Sequence, residues 1–425
     1  MVVKKVGMFV WNYFTNDARV TRECITLSEN GYNVDLFAIH QGDLAEKERR
    51  NKYFQIYRVR KTVPFLTRLW TNKYGLIILV FCYLVLWLWL PMAMSLLLLL
   101  LLPFSLKKGR KFLSRASIFM RMVHLGMRSK YEVYHANDLN TLLQAVICAK
   151  WFGRSQLVYD SHEVQTNRMG YDNRFYGVAE QFLLRFVDVC IHENDTRAAY
   201  IEHLYGFYPK VVHNYPVTVK DSPDDAIDLY AILRIDRTEP ILLYQGGIQI
   251  GRGLDKLIKA VPNIKKGVIV LIGDGRIKAE LEDMVARMEL VDRVKFLPKV
   301  ALAELPMYTK NAYIGFQLLN NSCFNHYSAS SNKLFEYMMA GIPVIACDFP
   351  EIKRVVEKHQ TGIVVDSHSP LAIAAAVNQI VQAPSMRKVL SENCIKARKF
   401  FNWEQEQVVF LEIYKELDVK ASARS

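Results

Sequence analysis

Short runs rich in Val, Ile and Leu alternate along the chain with stretches whose apolar positions recur every three or four residues. The beginning reads as the strand VGMFVW, a helix from about Asp17 to Asn30, and the strands NVDLFAIH and FQIYRVR. The same alternation continues at YEVYHAND and QLVYDSHE, and it restarts at ILLYQGG, VIVLIGDG and PVIACDF. Strands that alternate with helices in this way form parallel sheets covered on both faces. The pattern therefore predicts an α/β chain of two doubly wound, Rossmann-like domains that face a cleft.

A polar, acidic stretch separates the two series of strands and suits a linker over residues 217–238. We expect a first domain over 1–216 and a second over 239–400. A last helix within 401–425 is expected to cross back to the first domain. Ligands of open parallel sheets bind beyond the carboxyl ends of the strands, so polar residues at strand ends are the candidates for chemistry.

One segment breaks the alternation, because 33 uncharged residues lie between Lys73 and Lys107. A helix needs only ~20 apolar residues to cross a bilayer. A single crossing would separate strands that we assign to one sheet, and the basic flanks on both sides favour the cytoplasmic face. Pro91 lies near the middle and can break a helix. We expect a re-entrant or hairpin membrane segment at about 74–106, inside the first domain, with a buried core helix as the alternative.

The charge of the chain is concentrated beside this segment. The 425 residues carry a net charge of +13, and residues 61–130 hold 11 basic side chains and no acidic one. From 107 to 128 the basic residues recur at spacings of three and four, with apolar residues on another face. This pattern predicts an amphipathic helix on anionic lipid, completing a membrane insertion over 74–130, because each basic residue near such a surface contributes about 1 kcal/mol. Packing on its own domain is the alternative.

A nucleic-acid partner is not expected, because stacking aromatic residues and a nucleic-acid motif do not accompany the basic stretch. The seven cysteines lie far apart without a Cys-x-x-Cys pair, which argues against disulfides and zinc. The chain contains no Asp-x-Asp pair, so we expect no metal clamp on a diphosphate and no cofactor. The charge of a departing diphosphate would then be met by arginine, lysine and helix termini.

Glycines end two strands of the second domain. Gly246 and Gly247 follow ILLYQ, Gly273 follows VIVLI, and Arg252 precedes an amphipathic helix. Backbone N–H groups of such turns can approach a phosphate, and an arginine adds a charge-assisted contact. A glycine-rich turn with a solvated arginine is the alternative. No Walker pattern and no complete Gly-x-Gly-x-x-Gly fingerprint is present.

The segment NKLFEYMMAGIPVIA gives the strongest signal. Asn332 is predicted to cap a helix, which places Lys333 in the first turn, where its charge opposes the helix dipole. A cation there becomes favourable when an anion binds the helix terminus. Glu336 lies among apolar residues and requires hydroxyl donors or a partner. We expect phosphate at Lys333 and ribose hydroxyls at Glu336, with an ion pair between the two as the alternative.

Polar residues also follow the strands of the first domain. Asp17 and Arg19 follow the first strand, His135 and Asp138 end the strand YEVYHAND, and His162 ends QLVYDSHE. An aspartate or histidine at such an edge can take a proton from an attacking hydroxyl or bind sugar hydroxyls. The alternative is a polar residue that caps the next helix.

Taken together, the chain resembles the glycosyltransferases of the GT-B fold, family 4 type, also called glycosyl transferases group 1. The resemblance runs through TNDARVTRECITLSENGYNVDLF, VYHANDLNTL, LVYDSHE, LLYQGGIQIGRGLDKLI, LIGDGRIKAELE and NKLFEYMMAGIPVIA. It implies a nucleotide-sugar donor, UDP- or GDP-linked, in the second domain and an acceptor in the first. The expected donor-binding residues are Gly246, Gly247, Arg252, Gly273, Asn332, Lys333 and Glu336; the expected acceptor-binding residues are Asp17, Arg19 and His135; and the expected catalytic residues are Asp138, His162 and Glu336.

The chain departs from the family's pattern at two places. Many members have two glutamates separated by seven residues, and the second matches Glu336 whereas the first position is Ser328. The usual arginine after the first strand of the second domain matches Gly247, and its lysine partner matches Arg252. The stereochemical outcome stays open, because a retaining enzyme lets the departing phosphate assist the acceptor, whereas an inverting enzyme needs a base such as Asp138.

The membrane segment lies in the acceptor domain, which suggests a lipid-borne acceptor. We expect a metal-independent hexosyltransferase that moves a sugar onto a lipid-linked saccharide at the cytoplasmic face of the cell membrane. Such a reaction belongs to the synthesis of a surface polysaccharide or glycoconjugate. The alternatives are a sugar-nucleotide epimerase on the same scaffold and a catalytically inactive membrane scaffold.

Overall fold

The computed structural model describes residues 4–61, 73–90, 107–167, 174–218 and 227–422. The strands within these residues are β1 (Lys4–Phe9), β2 (Tyr32–Ile39), β3 (Lys47–Asn51), β4 (Phe54–Val59), β5 (Val133–Asn137), β6 (Gln156–Ser161), β7 (Val189–His192), β8 (Lys210–Val211), β9 (Ile241–Gln245), β10 (Val268–Ile272), β11 (Val294–Leu297), β12 (Ile314–Gln317), β13 (Val344–Cys347) and β14 (Gly362–Val365).

The α-helices within the described residues are α1 (Ala18–Glu29), α2 (Lys73–Trp89), α3 (Lys107–Met127), α4 (Leu139–Val146), α5 (Arg174–Leu184), α6 (Asp195–Tyr205), α7 (Leu229–Leu233), α8 (Leu254–Ala260), α9 (Lys278–Arg287), α10 (Leu305–Thr309), α11 (Phe324–Tyr327), α12 (Asn332–Met339), α13 (Pro350–His359), α14 (Pro370–Gln382), α15 (Pro384–Ala397) and α16 (Trp403–Ser422). A π-helical turn, Ile147–Trp151, continues α4.

The strands form two sheets, as the alternating pattern predicts. The first has eight strands in the order β3-β4-β2-β1-β5-β6-β7-β8, and the second has six in the order β11-β10-β9-β12-β13-β14. The pairings of β1 with β2 and β5, and of β9 with β10 and β12, are parallel. The apolar pattern did not predict β3, whose sequence is KERRN and which pairs antiparallel with β4 at the edge.

The chain divides into two compact units. One comprises Met1–Asp160, Glu180–Cys190 and Ala421–Ser425, and the other comprises Ser161–Ala179 and Ile191–Lys420. The predicted domain boundaries at 216 and 239 stay predictions. Residues 219–226 of the predicted linker lie outside the described residues, and α7 forms within the remainder.

Helices pack on the second sheet because apolar residues recur along each helix at helical spacing and form one apolar face. Leu257 and Ile258 of α8 and Ile373 and Val377 of α14 are buried in one cluster with Leu271 of β10. Such side chains each contribute about 1.5–3 kcal/mol when they leave water. This core fixes the carboxyl ends of β9, β10 and β12, where the candidate site lies.

The long uncharged run is only partly described. The helix α2 ends at Trp89, ahead of Pro91, and residues 91–106, the second half of the predicted hairpin, lie outside the described residues. No helix in the part of the chain that the structure describes combines the length and the apolar character needed to cross a membrane. The helix α2 nevertheless carries exposed apolar side chains, among them Trp89, which is 82% exposed.

The predicted basic helix is α3, and it packs on its own unit. Ile118, Met122, Val123 and Gly126 of this helix are buried, whereas Met120 and Met127, which share the spacing of its apolar residues, are exposed. The exposed residues of α3 and of the turn that follows it include basic side chains, namely Lys111, Arg115, Arg121, His124 and Arg128.

Candidate functional site

The carboxyl ends of β9 and β10 approach so closely that side chains are excluded. A Cβ atom on Gly273 would lie 1.9 Å from the carbonyl oxygen of Gly246. Both glycines have positive φ, +152° for Gly273 and +129° for Gly246, a region that favours glycine. The Tyr244 hydroxyl donates to the carbonyl oxygen of Gly247 at 2.8 Å and fixes the next residue. The strand ends therefore present bare backbone that a ligand can approach.

Lys333 lies across this bare backbone. A Cβ atom on Gly246 would lie 3.5 Å from its Nζ atom, and Nζ is 5.4 Å from the centre of the Tyr244 ring. Burial, and then the nearby charge of Arg252, lower the pKa of the Lys333 ammonium to about 7. Arg252 itself is only partly exposed.

Neither cation forms an ion pair within the described part of the chain. Glu336 is hydrogen-bonded to Gln245 instead, although its charge still acts to raise the pKa of Lys333. Two neighbouring cations without an ion-pair partner repel each other and would be stabilised by an anion. The arrangement therefore favours an anionic ligand, and a phosphate group has this charge.

Glu336 is held by a different partner. The Gln245 side-chain amide donates to Glu336 Oε2 at 2.7 Å, and Gln245 Oε1 accepts from the Thr309 hydroxyl at 2.7 Å. Gln245 is fully buried at the end of β9, and Glu336 is half-buried on α12. This chain of hydrogen bonds fixes the orientation of the Glu336 carboxylate, which can accept hydrogen bonds from hydroxyl groups of a ligand.

The start of α12 differs from the prediction. Ser331, and not Asn332, occupies the N-cap position, and Asn332 is the first helical residue. The Ser331 hydroxyl makes no capping hydrogen bond, because it donates to Gln317 Oε1 at 2.9 Å instead. The first N–H groups of α12 thus lack a side-chain cap, and uncapped N–H groups at a helix start favour anions.

A histidine also lies beside these cations. His326 Nδ1 is 2.8 Å from the Ser322 hydroxyl, and its ring lies against Gly251, where a Cβ atom would be 2.6 Å from Cε1. Burial, and then the charge of Arg252, lower the pKa of His326. His326 therefore favours the neutral form and adds little to the positive charge.

In the first unit, Arg19 belongs to a buried ion network. Its guanidinium donates to both carboxylate oxygens of Asp160, at 2.7 and 2.9 Å, and lies 3.0 Å from Glu23. His135 Nε2 lies 3.9 Å from the same glutamate, and all four side chains are buried. This network joins α1 to the ends of β5 and β6. The acceptor-binding roles of Arg19 and His135 stay predictions.

The same network contains the one group that could hold a metal ion among the described residues. Ligand atoms of Glu23, His135 and Asp160 lie within 4.8 Å of one another. The Arg19 guanidinium already contacts both carboxylates, so a divalent ion there would stand beside a fixed positive charge. The donor set suits an internal arginine better than a metal.

Two aspartates of the first unit occupy helix starts in different ways. Asp17 caps α1, because one carboxylate oxygen accepts from the Val20 N–H at 3.2 Å and the other from Asn12 at 2.7 Å. Asp138 stands at the cap position of α4 but makes no side-chain capping bond. Its φ of +63° and ψ of 163° form a strained backbone for a residue other than glycine. Helix capping therefore does not explain why an aspartate occupies position 138.

The predicted site residues are divided between the two compact units. Gly246, Gly273, Arg252, Lys333 and Glu336 come together at the strand ends of the second sheet. His162, predicted with the first domain, lies in the second compact unit, whereas Asp138 lies in the first. Gln245 and Gln317 were missed by sequence reasoning. Their signal was a glutamine as the last residue of an otherwise apolar strand.

Comparison with known proteins agrees with this description. Residues 227–397 match the family described as glycosyl transferases group 1. A D-inositol 3-phosphate glycosyltransferase of Xylanimonas cellulosilytica is 25% identical over 58% of this chain and 61% of that relative. The chain thus spans about three fifths of the length of this relative.

Two solved structures resemble the chain over almost its whole length. Sucrose-phosphate synthase from Thermosynechococcus elongatus has a TM-score of 0.76 at 17% identity and covers 98% of this chain and 100% of its own. Anabaena HepE in complex with UDP and glucose has a TM-score of 0.72 at 16% identity, covering 97% and 100%. The chain has the GT-B fold of two Rossmann-like domains.

The pKa of Lys333 predicts how nucleotide affinity depends on pH. With a pKa of about 7 in the free protein, Lys333 is charged below neutral pH and loses its charge as pH rises. A bound diphosphate stabilises the charged form, so binding takes up a proton and affinity falls from pH 6 to 9, by at most about tenfold per pH unit. Calorimetry with UDP- and GDP-sugars should show this fall for the preferred donor.

Lys333→Arg is the matched control, since arginine keeps its charge throughout this range. Its affinity should stay nearly constant between pH 6 and 9. The same decline in Lys333→Arg as in the unmodified chain would contradict the assignment to Lys333.

The strain at Asp138 predicts opposite changes in stability and turnover. Asp138→Gly removes about 1–3 kcal/mol of backbone strain, which exceeds the roughly 0.5–1 kcal/mol entropic cost of glycine, so denaturant unfolding should show a more stable protein. Turnover should fall by about 10²–10⁴ if the carboxylate is the base. Asp138→Asn keeps the strain and removes the base, so it should lose turnover without gaining stability. Unchanged turnover in Asp138→Asn would exclude Asp138 as the base.

Proposed function

We propose that this chain is a glycosyltransferase that moves a sugar from a UDP- or GDP-linked donor onto a lipid-linked saccharide. One observation carries the donor half of this proposal: Lys333 lies across the bare backbone of Gly246 near the charge of Arg252, and neither cation forms an ion pair within the described residues. A nucleoside diphosphate supplies the missing negative charge. The match of residues 227–397 to glycosyl transferases group 1 supports the same donor class.

The reaction follows from this charge arrangement. An acceptor hydroxyl forms a bond to the anomeric carbon of the sugar while the bond from that carbon to the diphosphate oxygen breaks. Arg252, Lys333 and the uncapped start of α12 stabilise the charge that develops on the departing diphosphate. In this scheme these groups perform the task that a metal ion performs in other transferases. The hydroxyl proton goes to Asp138 in an inverting reaction or to the departing phosphate in a retaining one.

Glu336 orients the donor before the reaction. Gln245 holds one carboxylate oxygen at 2.7 Å, so the carboxylate keeps a fixed direction toward ligand hydroxyls. The Gln245 side chain is itself held by Thr309, which further restricts rotation of the Glu336 carboxylate. Hydrogen bonds to a charged carboxylate contribute about 1.5–3 kcal/mol each, which suits a residue that selects a ribose or a sugar.

The acceptor half of the proposal rests on the surface of the first unit. The helix α2 carries exposed apolar side chains such as Ile77, Phe81 and Leu88. The helix α3 of the same unit carries exposed basic side chains, namely Lys111, Arg115, Arg121 and His124. Apolar and basic groups together favour the interface of an anionic membrane. We therefore infer a site at the cytoplasmic face of the cell membrane, where a lipid-linked saccharide is within reach.

A donor screen tests the proposed activity. Purified protein should be stabilised against heat by one of the UDP- or GDP-sugars, by about 2.7 kcal/mol at a hundredfold excess over the dissociation constant. Glu336→Gln should weaken this stabilisation and lower transfer to a lipid-linked acceptor by about tenfold or more, because a charged hydrogen bond is lost. Glu392→Gln, an exposed glutamate of α15, is the matched control and should behave as the unmodified chain.

Other outcomes separate the alternatives. Isomerisation of the donor without an acceptor would favour a sugar-nucleotide epimerase. A folded protein that binds no donor would favour an inactive scaffold. Transfer at the normal rate by Glu336→Gln would contradict the role of Glu336.

A vesicle experiment tests the membrane half. The protein should float with vesicles that contain phosphatidylglycerol and less with phosphatidylcholine vesicles. Arg115→Gln and Arg121→Gln should each weaken binding roughly fivefold, since each exposed basic residue contributes about 1 kcal/mol. Lys388→Gln, an exposed lysine of α15, is the control and should leave binding unchanged. Equal binding to both kinds of vesicle in all variants would contradict an electrostatic contact through α3.

A further inference from the structure

A buried arginine of the second unit joins three segments of the chain. Arg197 of α6 is 3% exposed, and its guanidinium donates to the carbonyl oxygens of His162 and Asn325, at 2.5 and 3.0 Å. It also donates to the Ser328 hydroxyl at 3.2 Å. Its charge is neutralised by Glu193, 2.6 Å away. One side chain thus links the loop after β6, the start of α6 and the short helix α11.

A second contact ties the same loop to the same helix. The Val164 N–H donates to Asn325 Oδ1 at 2.8 Å, and the Asn325 amide returns a hydrogen bond to the Val164 carbonyl at 3.0 Å. Asn325 is 6% exposed, so both hydrogen bonds are shielded from water. A buried amide paired in both directions with one residue fixes that residue's backbone as a neighbouring strand would.

The residue at 328 makes this arrangement possible. Ser328 is fully buried, its hydroxyl donates to the Phe324 carbonyl at 2.7 Å, and its own carbonyl accepts from Asn194 at 2.9 Å. The family's pattern predicts a glutamate at this position. A glutamate would replace the hydroxyl by a methylene and a carboxylate at a site where Arg197 and Asn194 already make contact, and such overpacking is destabilising.

We propose that Arg197 and Asn325 are positioning residues, which hold the backbone of the His162 loop against the nucleotide-binding unit. Ser328 takes the place of the expected glutamate so that Arg197 can reach that loop. His162 is therefore held to the same unit as Lys333 and Glu336, although it follows β6, a strand of the first sheet. The importance of this position for sugar transfer rests on the proposed function, whereas the attachment itself does not.

Two variants and one control test the proposal in the full chain. Arg197→Lys keeps the charge opposite Glu193 but cannot reach three acceptors at once. Asn325→Asp keeps the acceptor for the Val164 N–H and loses the returned hydrogen bond, so it is the milder change. Arg354→Lys is the control, because Arg354 is 52% exposed and pairs with Asp195 of the same helix α6.

The first measurement is hydrogen exchange at the Val164 amide, which needs no substrate. Arg197→Lys should lower its protection by about tenfold, Asn325→Asp should lower it by a smaller factor, and Arg354→Lys should leave it unchanged. Unaltered protection in both variants would overturn the attachment. This result stands even if the unmodified chain transfers no sugar, in which case the proposed function fails alone.

The second measurement separates positioning from stability. Turnover should fall by about 10²-fold in Arg197→Lys, because a displacement near 1 Å at a reacting centre has this effect. The dissociation constant of the nucleotide sugar should change less than twofold, since Arg252, Lys333 and Glu336 are untouched. Lost protection at Val164 with normal turnover would overturn the positioning role, and so would a parallel loss of donor binding and turnover.

Discussion

The burial of Lys333 beside the charge of Arg252 is the constraint on which the candidate site depends. A protein seldom places two cations together in a partly buried position without a carboxylate, because desolvation and like charge both oppose it. Here the effect appears in the Lys333 pKa of about 7. The folded chain tolerates this state because its cores supply the stability, and an anionic ligand relieves it. Affinity for a diphosphate and a destabilised resting site are thus two consequences of one arrangement.

The arrangement requires backbone that comes close without side chains. Gly246 and Gly273 allow β9 and β10 to meet, and the space over Gly246 is the space that Lys333 crosses. A larger residue at Gly273 would collide with the Gly246 carbonyl oxygen, and one at Gly246 would meet the Lys333 side chain, so either would disturb the surface on which phosphate groups can lie. Gln245 at the end of β9 extends the hydrogen bonds of the site into the buried interior, because it links Thr309 to Glu336.

Three arginines of the chain show how burial decides the role of one residue type. Arg19 and Arg197 are buried, and each is neutralised by carboxylates, so their hydrogen bonds join segments of the fold. Arg252 is partly exposed and has no carboxylate partner in the described residues, so its charge stays available to a ligand. Removing the partner of a buried pair is expected to destabilise by about 3–5 kcal/mol. Arg19 and Arg197 therefore hold segments of the fold together, whereas Arg252 contributes to the affinity for an anionic ligand.

The sequence alone determined the two parallel sheets, the glycine strand ends and the helix carrying Lys333 and Glu336, because hydrophobic period and glycine position are local properties of a chain. It did not predict β3, whose charged residues pair only because β4 offers an edge. It assigned the cap of α12 to Asn332, since nothing local reveals that Ser331 turns to Gln317. Only the tertiary structure decided that Arg19 faces Asp160, that Gln245 holds Glu336 and that Arg197 holds the His162 loop. These partners lie far apart in sequence, and a buried charge or amide is satisfied by whatever the fold brings beside it.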